Sequence, residues 1–301
     1  EAAAGAYPGS AEVIVVDDGS SDGSVELIQA EYPDVRLILH PANRGFAEAV
    51  HTGVTAASHD IVILLNSDVR VRQDFILPLV QPFADQDTFS VGPMILGHDG
   101  SASESSWVRA RLSRGMVKKR GDWRPALAER TAESAGGRLK TLFASGGSVA
   151  FDKHKFEALG GFLPCYKPFG KEDMDLGTRA WRRGWKSYFV PRSAIVHDHR
   201  VTTIRRFYSS FRRKVVGRKN RYLYHWINLP GGALLVSHAP RVLGEIVWGT
   251  LRLDFSYLFG FVRALGHLPL VLGMRRGFRR DPATRSLPDV LAEIDQSPIG
   301  Q

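Results

Sequence analysis

Cysteine is almost missing from these 301 residues: Cys165 stands alone, so no disulfide can close within the chain and a reducing compartment is expected. The opening Glu1-Ala-Ala-Ala-Gly-Ala-Tyr-Pro8 has neither a basic nor an apolar segment of the kind a signal peptide needs, and none is expected there. No uninterrupted apolar run approaches the ~20 residues that span a bilayer. Neither early strand-to-helix junction carries G-x-G-x-x-G or G-x-x-x-x-G-K-S/T, which argues against a dinucleotide fold and a P-loop NTPase. Acidic residues are also lacking between Asp198 and Glu245.

What is present is a basic, core-forming chain. It is 44% hydrophobic, enough for one large domain or a domain with an appendage, and its formal net charge is +9. Such a balance suits anionic partners: nucleic acid, anionic lipid or phosphate-bearing substrates.

Ala11 to Asp17 reads as a short apolar strand, and Asp17-Asp-Gly-Ser-Ser-Asp22 as a turn from which Ser21 or Asp22 can cap a helix over 24–31. Val35 to Leu39 is a second strand, and Asn43 is expected to cap a helix reaching about Ala57. The third strand, Ile61 to Leu65, is wholly apolar and ends abruptly at Asn66-Ser-Asp68. This order predicts a parallel sheet covered by helices. Ligands of such sheets gather beyond the carboxyl ends of the strands, where Asp17, Asp18 and Asp68 stand. The same acids also suit polar turns after core strands.

Residues 73–84 read as helical and Phe89 to Leu96 as a strand. No period is visible over 97–140, which suggests a variable insertion facing substrate. The apolar run Leu142 to Phe151 is broken by Gly146-Gly147, and Asp152 caps a helix to Leu159. Glu172 to Arg183 is a helix, and Lys186 to Val190 a strand stopped by Pro191 before Ile195-Val196 and His197-Asp-His199. A carboxylate at a strand end, with substrate phosphate as a further ligand, is how Mg²⁺ or Mn²⁺ is usually held. A carboxylate beside a cleft can instead be a general base. Glu172 and Asp173 equally suit the positive end of a helix dipole, and His197 and His199 equally suit a surface.

The order of motifs goes further. Asp17-Asp-Gly-Ser-Ser-Asp-Gly-Ser24, Asn43-Arg-Gly-Phe-Ala-Glu-Ala-Val-His-Thr-Gly53, Leu65-Asn-Ser-Asp-Val69, Gly146-Gly-Ser-Val-Ala-Phe-Asp152, Gly160-Gly-Phe162, Glu172-Asp-Met-Asp-Leu-Gly-Thr-Arg179 and Pro191-Arg-Ser-Ala-Ile-Val-His197 follow one another over about two thirds of the chain. Together they resemble the family 2 glycosyltransferases, and most of all the rhamnosyltransferase-type branch, which has Asn-Pro-Asp where this chain has Asn66-Ser-Asp68.

The resemblance implies a GT-A fold, a Rossmann-like and mostly parallel sheet flanked by helices. It implies an inverting, metal-dependent transfer from a nucleotide sugar (UDP- or dTDP-linked) to a glycan or lipid-linked acceptor. Asp17 and Asp18 match the pair that contacts base and ribose. Asn43, Gly45 and Phe46 match the nucleotide pocket, with Asn66, Ser67 and Gly147 beside the donor. Asp68 matches the ligand of Mn²⁺ or Mg²⁺, His197 a histidine near the diphosphate or metal, and Asp173, with Glu172 beside it, the catalytic base. It also implies a further strand ahead of the Asp17 strand. Only about ten Ala/Gly-rich residues precede that strand here, so an open sheet edge is expected. A sugar-phosphate nucleotidyltransferase, or an inactive surface-binding remnant, are the alternatives.

The final third differs in character. Phe207, Phe211, Val215, Tyr222 and Trp226 recur at helical spacing among Arg212, Arg213, Lys214, Arg218 and Arg221, and a second tract, 233–278, mixes apolar residues with arginines. Basic amphipathic helices of this kind lie on anionic membranes, or else cap a core with a solvated basic face. Nucleic acid is disfavoured, because the aromatics sit at core-like spacing rather than as a stacking platform. The expected organisation is a core over 1–202, a basic helical region over 203–280 and a poorly ordered tail over 281–301. The expected location is cytoplasmic, peripheral on the inner face of the cell membrane.

Overall fold

A computed structural model of the chain describes residues 4–5, 7–120, 124–197 and 207–296. The first β-branched run forms β1 (Ile14–Asp17), joined through α1 (Ser24–Glu31) to its parallel neighbour β2 (Arg36–Leu39). Helix α2 (Phe46–Ala56) packs back on β1, bringing Gly53 so close to Val16 that a Cβ there would stand 3.3 Å from its methyl group. The third apolar run is β3 (Ile61–Leu65). It does not continue the β1–β2 pair. It forms one edge of a separate six-stranded sheet, in antiparallel pairing with β9 (Ser148–Asp152), while β1 pairs only with β2 among the described residues. Short β-α-β connections fix parallel direction but not adjacency. The half-buried Ile61 to Leu64 and Ile14 to Asp17 reflect strands that each keep one edge without a strand beside it.

The six-stranded sheet is centred on β5 (Thr88–Leu96), which is buried along almost its whole length. It runs parallel to β10 (Lys186–His197) and antiparallel to β9. Two short strands, β4 (Val69–Val71) and β8 (Leu139–Lys140), pair antiparallel with β10, and the short α3 (Ile76–Val80) packs against it. The chain is α/β with helices on a central sheet, as expected, but the sheet is mixed rather than mostly parallel. Pro191 does not stop β10. The strand carries it through a register shift between Val190 and Ala194, an irregularity that tolerates a residue with no N–H to donate.

Residues 97–120 and 124–140 are ordered, contrary to their lack of period. They contain the hairpin β6 (Ala110–Ser113) and β7 (Met116–Lys119), then α4 (Pro125–Ser134). Val108 and Ala110 enter the largest core cluster. Trp107 donates its indole N–H to the Lys140 carbonyl at 2.8 Å. Helices α5 (Lys153–Ala158) and α6 (Glu172–Arg182) follow, and Asp152 caps α5 by accepting from the Lys155 amide.

The C-terminal helices are part of this fold. Helix α7 (Ser210–Asn228) buries Tyr222, Leu223, Tyr224 and Ile227 completely or nearly so. It bonds to α6 twice, from Tyr224 to Thr178 (3.0 Å) and from Asn228 to Asp175 (3.0 Å), so one face of α7 is packed on the core. Helices α8 (Ala239–Leu251), α9 (Ser256–Leu265) and α10 (Leu268–Arg280) lie beyond it. The tail is not disordered over 287–295. It forms α11 (Leu287–Asp295), whose Leu287, Val290, Leu291 and Ile294 lie at helical spacing and are buried against β6 and α6. Glu293 clamps the helix by pairing with Lys140 (2.8 Å) and Arg285 (2.6 Å).

Replacing a fully buried branched side chain leaves a cavity. Ile294→Ala will cost about 2–4 kcal/mol in urea unfolding, whereas a loose tail would cost nothing measurable.

Candidate functional site

The site begins where β3 ends. β4 returns antiparallel to the end of β10 with Val69 opposite His197, and this register sets Asp68 beside the histidine. His197 Nε2 lies 3.0 Å from Asp68 Oδ2. The other carboxylate oxygen, Oδ1, is buried and has no hydrogen-bond partner among the described residues. An orphaned anionic oxygen beside an imidazole is a donor set suited to a divalent cation. No cluster of three His, Cys, Asp or Glu side chains exists among the described residues, so the pair offers two ligands and leaves the remainder to substrate oxygens or water. His199 lies outside the described residues.

The β3–β9 pairing then brings in the glycines. Gly147 accepts from the Asn66 amide at 3.0 Å, and a Cβ on Gly147 would stand 3.0 Å from the Asn66 side chain. One residue back, Gly146 donates its amide to Asp173 Oδ2 at 3.4 Å, and Phe46 and Phe162 close on the same glycine. The two rings are 5.8 Å apart. Ser67 is exposed at the loop tip.

Phe46 opens α2 and leads to the nucleotide-side residues. Gly45 precedes it at φ 90°, a conformation that side-chain-bearing residues rarely adopt. Gly45 donates to Asp18 Oδ2 (2.8 Å), Arg44 to Oδ1 (2.9 Å), and His40 Nδ1 sits 2.7 Å from the same Oδ1. Burial pushes the Asp18 carboxyl up, but these contacts outweigh it and hold the group below its ordinary value. Asp17 accepts from Gly19 and Ser20 within its own turn and is likewise held low, chiefly by Ser20. Asn43 does not cap α2: the cap position is Gly45, with no side-chain bond, and Asn43 lies exposed against the Gly19 turn.

At the start of α6, Lys171 takes a left-handed conformation (φ 79°), a strain kept where the surroundings enforce it. Those surroundings come from α7. Buried Asn220 donates to the carbonyls of Tyr166, Phe169 and Gly170 (2.7–2.8 Å), and Lys219 to those of Cys165 and Lys167. Burial lowers the Lys219 ammonium to about 8. Asp173 and Glu172 are partly buried. Burial raises Asp173, against the Met174 and Gly146 amides, and burial followed by the neighbouring Asp173 raises Glu172 to about 7. A Glu172 oxygen, Oε2, is buried with no hydrogen-bond partner among the described residues. Cys165 is buried and its thiol is pushed up to about 12, which removes it as a nucleophile.

One connected site therefore holds Asp68, His197, Asn66, Gly146, Gly147, Asp173 and Glu172, linked through Phe46 and Gly45 to Asp18. His40, Lys171 and Asn220 were not foreseen from the sequence, while Phe162 stood only in a motif and Lys219 only in the basic tract of the final third; His40 follows a strand and could have been suspected on that ground.

The model for glycosyl transferase family 2 matches residues 2–160, and that for the N-terminal domain of galactosyltransferase matches 129–207. The chain belongs to glycosyl transferase family 2. As a member of this family it is 28% identical over 210 residues to the N-acetylglucosaminyl-diphospho-decaprenol L-rhamnosyltransferase of Mycobacterium tuberculosis, covering 64% of this chain and 67% of that one. It is 26% identical to polypeptide N-acetylgalactosaminyltransferase 10 of Mus musculus, over 63% of this chain but 32% of the relative, so it spans about a third of that protein. The crystal structure of GalNAc-T7 with UDP, GalNAc and Mn²⁺ superposes with a TM-score of 0.56 at 20% identity, over 73% of this chain and 42% of that one. The shared fold is GT-A.

Glu172 holds its proton more tightly in the folded chain than at the ordinary value of 4.5, so stability is fully present below that value and is lost as pH rises through about 7. Glu172→Gln removes the effect. Relative to the parent chain, the variant will gain on the order of 2 kcal/mol between about pH 4 and about pH 8, read from thermal unfolding at both.

Proposed function

We propose that this family 2 member transfers a sugar, with inversion, from a nucleotide-sugar donor to a hydroxyl of a glycan or lipid-linked acceptor. The observation that carries the proposal is the convergence of Asp68–His197 and Asp173 on the two ends of one short segment, Asn66 to Asp68 against Gly146–Gly147. The relatives' names support the reaction class: a lipid-diphosphate rhamnosyltransferase and a polypeptide N-acetylgalactosaminyltransferase. Donors linked to UDP or dTDP both suit the reading.

Asp173 is the general base. Its raised affinity for a proton suits removal of the acceptor proton as that oxygen attacks the anomeric carbon. The Gly146 and Met174 amides orient the carboxylate. Glu172 alongside holds its proton up to about 7, by burial first and then by the Asp173 charge. Asp68 and His197 are the residues that would hold Mn²⁺ or Mg²⁺. Such an ion supplies charge neutralisation for the departing diphosphate when bound. On the nucleotide side, Asp18 holds the Arg44–Gly45 loop, leaving backbone and ring surfaces of 43–46 to the base and ribose. A nucleotidyltransferase finds no support in the matched family.

Asp173→Asn will lower transfer by about 10²–10⁴-fold while nucleotide binding survives; normal turnover would reject the base assignment. Asp68→Ala will remove the Mn²⁺-dependent part of nucleotide binding in calorimetry and spare the metal-free part. Transfer by the parent chain will rise with pH on the acid side, because the base must be unprotonated.

A further inference from the structure

The helices beyond α7 are amphipathic in the sense opposite to that of a water-facing helix. Helix α9 lies on α7 through its small residues: Ser256, Gly260 and Ala264 are buried, and a Cβ on Gly260 would stand 2.5 Å from the Arg218 side chain. Phe261 packs on the rings of Tyr222 and Trp226, but Leu258, Phe259 and Val262 face outward, with Phe259 51% and Val262 55% exposed. Helix α8 repeats the pattern, turning Gly249 inward against Tyr257 and exposing Val247, Trp248 and Leu251. Fifteen of the 22 large apolar side chains that stand exposed among the described residues fall between Leu235 and Leu272. That density is a face, not the scattered apolar residues of an ordinary surface.

The charge around this face is of one sign. From Leu235 to Arg280 the only acids are Glu245 and Asp254. Both are taken: Glu245 by Arg221 and Arg241, Asp254 by Lys214 and Arg218. Arg252, Arg263, Arg276, Arg279 and Arg280 stand exposed. The Arg252 guanidinium lies over the Trp248 ring, 4.4 Å from its centre, so one of the arginines sits directly on an aromatic of the apolar face. No single described helix is long and apolar enough to cross a membrane. Helices α9 and α10 pass that test only as a pair, and they are bent by 63° at their junction. A bent, one-sided, arginine-edged pair fits a position in the plane of a headgroup layer.

We propose that α8, α9 and α10 form a docking face for an anionic phospholipid surface, with the apolar side chains at the acyl boundary and the arginines on lipid phosphates. A second copy of the chain is the competing occupant. Two such faces apposed would bring arginine edges together, whereas anionic lipid neutralises them. Docking does not depend on the transferase reading, since it requires neither donor nor acceptor.

The test is co-sedimentation with phosphatidylglycerol–phosphatidylcholine vesicles and with phosphatidylcholine alone, at low and high salt. The parent chain will sediment with the anionic vesicles, and added salt or the pair Arg252→Glu with Arg263→Glu will weaken binding by about tenfold or more. The pair Val247→Glu with Phe259→Glu will abolish it while leaving the melting curve in place, since both side chains are exposed. Absence of binding to anionic vesicles, or undiminished binding by either pair, would overturn the proposal. So would a parent dimer in sedimentation velocity that the Val247→Glu, Phe259→Glu pair splits.

Discussion

The structure turns on a buried ion pair inside α6. Asp175 and Arg179 meet at 2.6 Å with side chains 0% and 2% exposed. Charges so deep are tolerable only when every remaining hydrogen-bonding site is used, and here most are. Arg179 also donates to the carbonyls of Leu159 and Gly161, and Asn228 of α7 donates to the free side of Asp175. One helix is thereby pinned to the loop behind it and to the helix above it. Gly177 in the same helix packs so close to Leu142 and Phe143 that a Cβ would overlap them, and Trp181 donates to the Thr141 carbonyl. The first turn of α6, which holds Glu172 and Asp173, has little freedom left.

This rigidity makes the electrostatics of that turn intelligible. Two neighbouring carboxylates, held where water reaches them poorly, both bind protons more tightly than free acids do. A looser helix would let them turn to solvent and relax. The left-handed Lys171 belongs to the same device, because the 165–170 loop is suspended from Lys219 and Asn220 and cannot shorten to relieve it. The opposite wall is fixed differently, by strand register. Asp68 and His197 are neighbours because Val69 pairs with His197 across two antiparallel strands.

Much of this was readable in the chain. Strong local signals survived folding: the apolar strand ending at Asn66-Ser-Asp68, the helix opening at Glu172, the glycines at 146 and 147. What was not readable depends on partners distant in sequence. β4 is three residues long and gains its identity from β10, so nothing local announces it. Asp18 stood out for its place after a strand, but that its carboxylate holds a loop 26 residues away was not visible locally. The β1–β2 pair was expected to continue into β3, yet chain order sets direction and leaves neighbours undetermined. Helix α11 shows the converse. Its apolar spacing was present in Leu287, Val290, Leu291 and Ile294, and polar flanks on a chain end hid it.

Helix α7 ties these levels together, because its faces answer to different constraints. One face is committed to the core: Tyr224, Asn220 and Asn228 reach α6 and the loop before it, and no solvent-exposed helix would bury an asparagine this fully without such partners. The other face carries Arg218 against Gly260 of α9. Close backbone approach there puts small residues on the inside of α9; Phe261 packs on Tyr222 and Trp226, and Leu258, Phe259 and Val262 are left on the outside. The outward apolar face follows from how α9 seats on α7. Whatever covers that face is connected, through one helix, to the turn that carries Asp173.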